Sequence, residues 1–297
     1  MTMERLVGVD AAETVWNSPL PRLHLPGYQI CRELGRGGMA TVYLAVQHSL
    51  QRPVALKVLH HPPEEPDRPL LEAVILGQLA HPRVVKLFDA GSCAFGNYLT
   101  LEYLPGGTLR RRLKQLSRPL TPKAALALVG DLATALHYVH HRGFVHRDLE
   151  PRNVLFTADD EAVLGDFGSA IPLGRDVSLP AKGVERSWGS PRYVSPEQWQ
   201  RRCVDGRADL YALGVILFEL LTRRPPFMGA HPRELALQHV KAPIPRLPRA
   251  LVHLQPLIDG LLAKDPADRF DAATCLAATH KLAQGGHSPG PWYRRRH

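Results

Sequence analysis

With 297 residues, 44% hydrophobic and 22% charged, the chain is long enough for one large domain or two lobes with ample core. A formal net charge of +9 favours anionic partners. Membrane spans, secretion and disulfide frameworks are disfavoured: the most apolar run, 210–221, is short and contains Glu219, residues 1–10 lack an apolar stretch, and Cys31, Cys93, Cys203 and Cys275 lie far apart, as suits a reducing cytoplasm.

Residues 1–27 carry Pro19, Pro21 and Pro26 without a clear period and read as a flexible leader. Runs at 28–34, 41–46 and 54–59 are apolar or β-branched and separated by turn residues, the pattern of strands. Pro62, Pro63, Pro66 and Pro69 interrupt the chain before 70–79, where Leu70, Ala73, Val74 and Gly77 recur at helical spacing. Two further strands are expected at 84–88 and 98–102. Beyond Pro105-Gly106-Gly107 the character turns helical. Thr121-Pro122 supplies a capping hydroxyl and a first-turn proline for a helix over 124–141, and Gly143 stops it. Helices follow at 209–221, apolar enough to be buried, and at 251–262 and 272–282, before a basic flexible tail at 284–297. A β-rich first third and a helix-rich remainder predict an α+β fold of two lobes.

Gly35-Arg36-Gly37-Gly38-Met39-Ala40-Thr41-Val42 sits between two predicted strands, so it is either a glycine-rich hairpin or a cradle for phosphates; no helix follows, which argues against a Rossmann loop. Lys57 ends Val54-Ala55-Leu56-Lys57, and Glu72 lies on the next helix, where the bland reading is a solvated charge. His146-Arg147-Asp148-Leu149-Glu150-Pro151-Arg152-Asn153 follows, then Asp166-Phe167-Gly168 and Ser195-Pro196-Glu197. Asn153 and Asp166 offer hard oxygen donors suited to Mg2+. The patches Arg110-Arg111-Arg112 with Lys114, Arg201-Arg202 and Arg294-Arg295-Arg296 read as solvated faces or as docking points for acidic partners, with no stable nucleic-acid complex expected.

In this order and spacing the motifs resemble the protein kinase family. Gly-Gly-Met39-Ala-Thr-Val-Tyr and Ser190-Pro-Arg-Tyr-Val-Ser-Pro-Glu-Gln198 are similar to the bacterial eukaryotic-like (Hanks-type) serine/threonine kinases. The resemblance implies a bilobal kinase fold over 28–283, with a small β-rich N-lobe at 28–104 and a larger α-helical C-lobe at 105–283. It implies ATP-dependent phosphoryl transfer to Ser/Thr hydroxyls of protein substrates, including autophosphorylation, with ATP and Mg2+ as cofactors; oligomeric state stays open. Asp148 becomes the base, Lys57 the phosphate-binding lysine, Glu72 its ion-pair partner, and Asn153 and Asp166 the Mg2+ ligands. Leu34, Gly35, Gly37, Val42, Ala55, Lys57, Leu101, Glu102, Leu104 and Leu155 would surround the nucleotide. Arg147 would read phosphorylation at Ser178 or Ser187. Arg269 is the implied partner of Glu197. Asp209 resembles a buried Asp that bonds the His146–Asn153 loop, a role compatible with a helix cap.

The chain departs from the family at two places. Ala40 replaces a third glycine, and Glu150 stands where serine/threonine kinases usually carry Lys. In the family that Lys is coupled to a Thr of the activation segment, so the resemblance implies Glu150 and Ser190 as the corresponding pair. A carboxylate about 4 Å from a phosphate oxygen costs up to about 4 kcal/mol at an effective dielectric of about 20. The alternative to an active enzyme is therefore an ATP-binding pseudokinase or scaffold, unless Glu150 turns away or Arg152 offsets its charge.

Overall fold

The computed structural model describes residues 24–60, 68–93, 96–174 and 190–284. Most of the leader, the prolines at 62, 63 and 66, Ser178, Ser187 and the tail beyond 284 lie outside the described residues. The described residues fall into two compact units, 24–60 with 89–103, and 68–88 with 104–284.

The first unit is built on a five-stranded antiparallel sheet of β1 (Tyr28–Arg36), β2 (Ala40–Gln47), β3 (Arg52–Leu59), β4 (Leu87–Cys93) and β5 (Gly96–Glu102), in the order β1-β2-β3-β5-β4. Register places Leu44 opposite Ala55, Val42 opposite Lys57, Ala55 opposite Leu101 and Lys57 opposite Leu99. Directly opposed residues share a face, and residues two apart along a strand do too. Val54, Leu56 and Val58 alternate with that set and are buried on the other face. β1 carries two register shifts, between Ile30 and Arg32 and between Glu33 and Gly35.

The strand expected at 84–88 lies later, at Leu87–Cys93. Val84 makes only an isolated bridge to Leu164, and the amide of Val85 bonds the same residue's carbonyl, so this stretch belongs to the second unit.

In the second unit α1 (Arg68–Gly77) starts two residues earlier than expected, and its apolar face differs from the expected one. Val74 is exposed, whereas Glu72, Ile75, Leu76 and Leu79 are buried. Those four positions follow the i, i+3, i+4, i+7 spacing of one helix face. After α2 (Leu109–Gln115), α3 (Pro122–His141) begins as its sequence requires: the Thr121 hydroxyl accepts from the Ala124 amide, and Pro122 needs no partner for an amide it lacks. Gly143, with φ 81°, ends the turn that follows.

Two short antiparallel pairs come next, β6 (Phe144–Val145) with β9 (Ile171–Pro172) and β7 (Val154–Phe156) with β8 (Ala162–Leu164). The remaining helices are α4 (Pro196–Trp199), α5 (Arg207–Thr222), α6 (Pro232–Lys241), α7 (Gln255–Leu262) and α8 (Ala272–Gln284). α3 packs on α8 and α5, and α5 on α7. α5 is buried almost all round; each large apolar side chain removed from water there contributes about 1.5–3 kcal/mol. A Cβ on Gly214 would come within 2.7 Å of the Leu261 Cβ, so the α5–α7 approach depends on glycine.

The helix expected over 251–262 is divided. Arg249–Leu254 is 3-10 and the α-helix begins only at Gln255. Pro256 has no N–H to continue an α-helix from residue 252, so it fits only in the first turn of α7.

Candidate active site

Four of the residues expected around a nucleotide, Val42, Ala55, Lys57 and Leu101, share one face of the sheet, and Gly35 lies opposite Val42 on the neighbouring strand. Glu102 opposes Val54 and so points to the other face. Lys57 is buried, and Leu34 is exposed at the edge strand. The Gly37 amide bonds the Ala40 carbonyl at 2.8 Å, closing the β1–β2 turn. A Cβ at Gly35 or Gly38 would meet nothing within 4 Å, and at Gly37 only the Ala40 carbonyl at 3.7 Å. None of the three has positive φ among the described residues. Neither strain nor crowding calls for glycine here; what the glycines leave is bare backbone open to an approaching ligand.

In the second unit the His146–Asn153 loop is held from below by Asp209, in the first turn of α5. Its Oδ2 accepts from the His146 amide at 2.9 Å and its Oδ1 from the Arg147 amide at 2.7 Å. The carboxylate can only accept, so His140 Nε2, 2.8 Å away, carries the hydrogen. Burial alone would raise the Asp209 pKa, but His140 and His146 hold it below the usual carboxylate range. The capping position of α5 is Gly206, so Asp209 serves the loop and not the cap. Arg147 takes φ 67°, a left-handed conformation that costs a side-chain-bearing residue about 1–3 kcal/mol and persists here because its amide and carbonyl are both fixed.

The loop and the residues after β8 meet. Asn153 Nδ2 donates to the Asp148 carbonyl at 2.8 Å and to its carboxylate at 3.1 Å. The Asn153 carbonyl accepts from the Gly165 amide at 2.8 Å, and the Gly165 carbonyl bonds His146 Nε2 at 3.0 Å. Asp166 follows directly, with φ 57°, and Phe167 is buried edge-on against the His146 ring at 4.8 Å. Asp148, Asn153 and Asp166 are thus gathered on one framework. Burial, then the negative charges of Glu150 and Asp166, push the Asp148 carboxyl up to about 7 against the opposing pull of Asn153 and Arg152. Leu155, on β7, packs so close that a Cβ on Gly165 would lie 2.4 Å from its Cδ1.

Glu72 is buried, which removes the solvated-charge reading. Leu104 is buried as well. Glu197 and Arg269 form a buried two-pronged pair at 2.7 and 3.0 Å. Of the basic run on α2, Arg112 is structural: it pairs with Asp160, donates to the Gly106 carbonyl and lies 3.7 Å over the Phe156 ring.

Three contacts were not anticipated. Gln198 Nε2 donates to the Arg147 carbonyl at 3.0 Å, the Tyr193 hydroxyl donates to Glu219 at 2.6 Å, and His140 supports Asp209. His140 stands beside His141 in the sequence, and that adjacency does not point to its partner.

The protein kinase domain family matches residues 28–280. The chain belongs to the protein kinase domain family. It is 36% identical over 89% of its length to a probable serine/threonine-protein kinase of Streptomyces coelicolor, 34% over 88% to the serine/threonine-protein kinase PknB of Mycolicibacterium smegmatis, and 35% over 86% to the serine/threonine-protein kinase PrkC of Bacillus subtilis. It spans 43%, 44% and 40% of those relatives. Kinases of this family use ATP and Mg2+, and the residues fit both. Asn153 commits its amide hydrogens inside the loop, so Oδ1 is the atom that would meet a cation, and Asp166 would add a carboxylate. Among the described residues no group of three or more His, Cys, Asp or Glu could hold a metal alone; Mg2+ needs only one or two protein oxygens beside water and substrate phosphates. No helix of the described residues is long and apolar enough to cross a membrane.

Proposed function

We propose that this chain is an ATP- and Mg2+-dependent serine/threonine protein kinase that phosphorylates protein substrates and itself. The observation carrying this reading is the direct bond between Asn153 and Asp148, with Asp166 held beside them through Gly165. Asp148 orients the acceptor hydroxyl and takes its proton. Asn153 and Asp166 would hold Mg2+, which when bound would neutralise charge on the phosphates. Lys57, with Glu72 as its partner, steadies the α- and β-phosphates. Gly35, Gly37 and Leu34 cover the nucleotide, while Val42, Ala55, Leu101, Glu102, Leu104 and Leu155 enclose its base; these roles are assigned by resemblance.

The names of the relatives support a Ser/Thr acceptor. Arg147 is proposed to pair with a phosphate at Ser178 or Ser187. The division into a leader at 1–27, a kinase domain at 28–283 and a basic tail at 284–297 belongs to the same reading, supported by the match over 28–280. So does action in the cytoplasm, which suits four well-separated free thiols.

The test is transfer of labelled phosphate from Mg-ATP to a generic basic protein by wild type, Asp148→Asn and Asp166→Asn. Transfer by wild type and its loss in both variants is expected. Nucleotide binding by wild type with no transfer would replace this reading with that of a scaffold.

A further inference from the structure

Of the two residues that depart from the family, Glu150 does not face outward. It is 3% exposed, and both carboxylate oxygens are engaged. Oε1 pairs with Arg152 Nε, while Oε2 accepts the backbone amide of Ser190, forty positions later, at 3.2 Å. The Ser190 carbonyl accepts from the Tyr193 amide at 3.0 Å, and the Tyr193 hydroxyl binds Glu219 on α5. A second tie, from Gln198 to the Arg147 carbonyl, joins the same two stretches farther along. Arg152 is 62% exposed, so its charge sits in water while it pairs with the buried carboxylate. Glu150 is near enough to Asp148 for their like charges to interact. A carboxylate in that position costs energy unless a cation and a donor hold it, and here both do.

We propose that Glu150 is a positioning residue: paired with Arg152, its carboxylate clips the Asp148 loop to the backbone at Ser190 and fixes the acceptor side of the site by hydrogen bonding. This rests on the kinase reading above. Glu150 is then not a handicap, and restoring the lysine usual in the family breaks the clip.

The test is amide hydrogen exchange at Ser190 in the nucleotide-free protein, read beside steady-state kinetics with a protein acceptor. Loss of a hydrogen bond to a charged acceptor predicts exchange about ten- to a hundredfold faster in Glu150→Ala and Glu150→Lys. The kinetics should show a raised KM for the acceptor with the KM for ATP little changed. Glu150→Gln keeps an oxygen for the Ser190 amide and nearly the same volume, so it should keep the exchange protection; it also keeps the test open if Glu150→Ala does not fold. Unchanged Ser190 exchange in folded Glu150→Ala or Glu150→Lys would overturn the proposal. So would loss of protection in Glu150→Gln equal to that in Glu150→Lys, or a Glu150→Lys enzyme with kcat/KM above wild type. A wild type that transfers no phosphate would remove the kinase reading while the exchange measurement still decided the clip.

Discussion

Replacing Asp209 by Ala removes the acceptor for the His146 and Arg147 amides and the partner of His140 Nε2. Asp209 is 1% exposed, so water cannot easily take its place. Each buried amide left without a partner costs about 1–3 kcal/mol, which puts the loss for two at about 2–6 kcal/mol, centred near ~4. For a domain of this size, where each kcal/mol lowers Tm by about 2–4 °C, the midpoint should fall by about 8–16 °C. The bonds also offset the left-handed φ of Arg147, so the Asp148 loop should relax and transfer should slow even where the protein remains folded. Asp209→Asn keeps one acceptor oxygen but turns an NH2 toward a donor, and should recover no more than half of the lost stability. Thermal and urea unfolding of wild type and both variants measures this. A loss below about 1 kcal/mol in Asp209→Ala would refute the view that this one carboxylate organises the loop.

Three further outcomes follow from the same structure. Arg269→Ala strands the buried Glu197 carboxylate and should cost about 3–5 kcal/mol in denaturant unfolding, part of it recovered by adding Glu197→Gln. Burial, helped by Lys264, holds the His239 pKa down at about 3. The unfolded chain therefore binds the extra proton first, and stability should be fully present above pH ~6.5 and fall by about 1.4 kcal/mol per pH unit below it, until about pH 3; His239→Gln should flatten that slope in pH-dependent unfolding. Gly106→Ala would place a Cβ 2.6 Å from the Thr157 carbonyl and 2.8 Å from that of Phe156, backbone atoms that cannot step aside, and should lower stability by about 1–3 kcal/mol in urea titrations.

Much of the fold was legible because its signals are local. The Thr121 cap and Pro122 specify where α3 begins whatever it packs against, and the apolar and β-branched runs at β2 and β3, bounded by turn residues, specify strands. Legibility failed where a partner distant in the chain decided the outcome. Val74 looked like part of an apolar stripe, yet packing turned α1 so that Glu72, Ile75 and Leu76 face inward. Residues 84–86 have strand-like composition, but their bonds to Leu164 drew them into the second unit. The 3-10 start before α7 has a local signal in Pro256, whose missing N–H places it in the first turn of the α-helix.

The candidate site divides the same way. Taken in their order and spacing, stretches such as His146-Arg147-Asp148 and Asp166-Phe167-Gly168 nominate the chemistry, because side-chain type states which groups can bind a cation or take a proton. Sequence alone could therefore name the family and the fold class, and nominate candidates for the reacting groups. It could not say which way Glu150 points, that His140 steadies Asp209, or that Gln198 reaches the Arg147 carbonyl. Each of those facts depends on a hydrogen bond between residues tens of positions apart, and hydrogen bonds need distances and angles that only the packed chain sets.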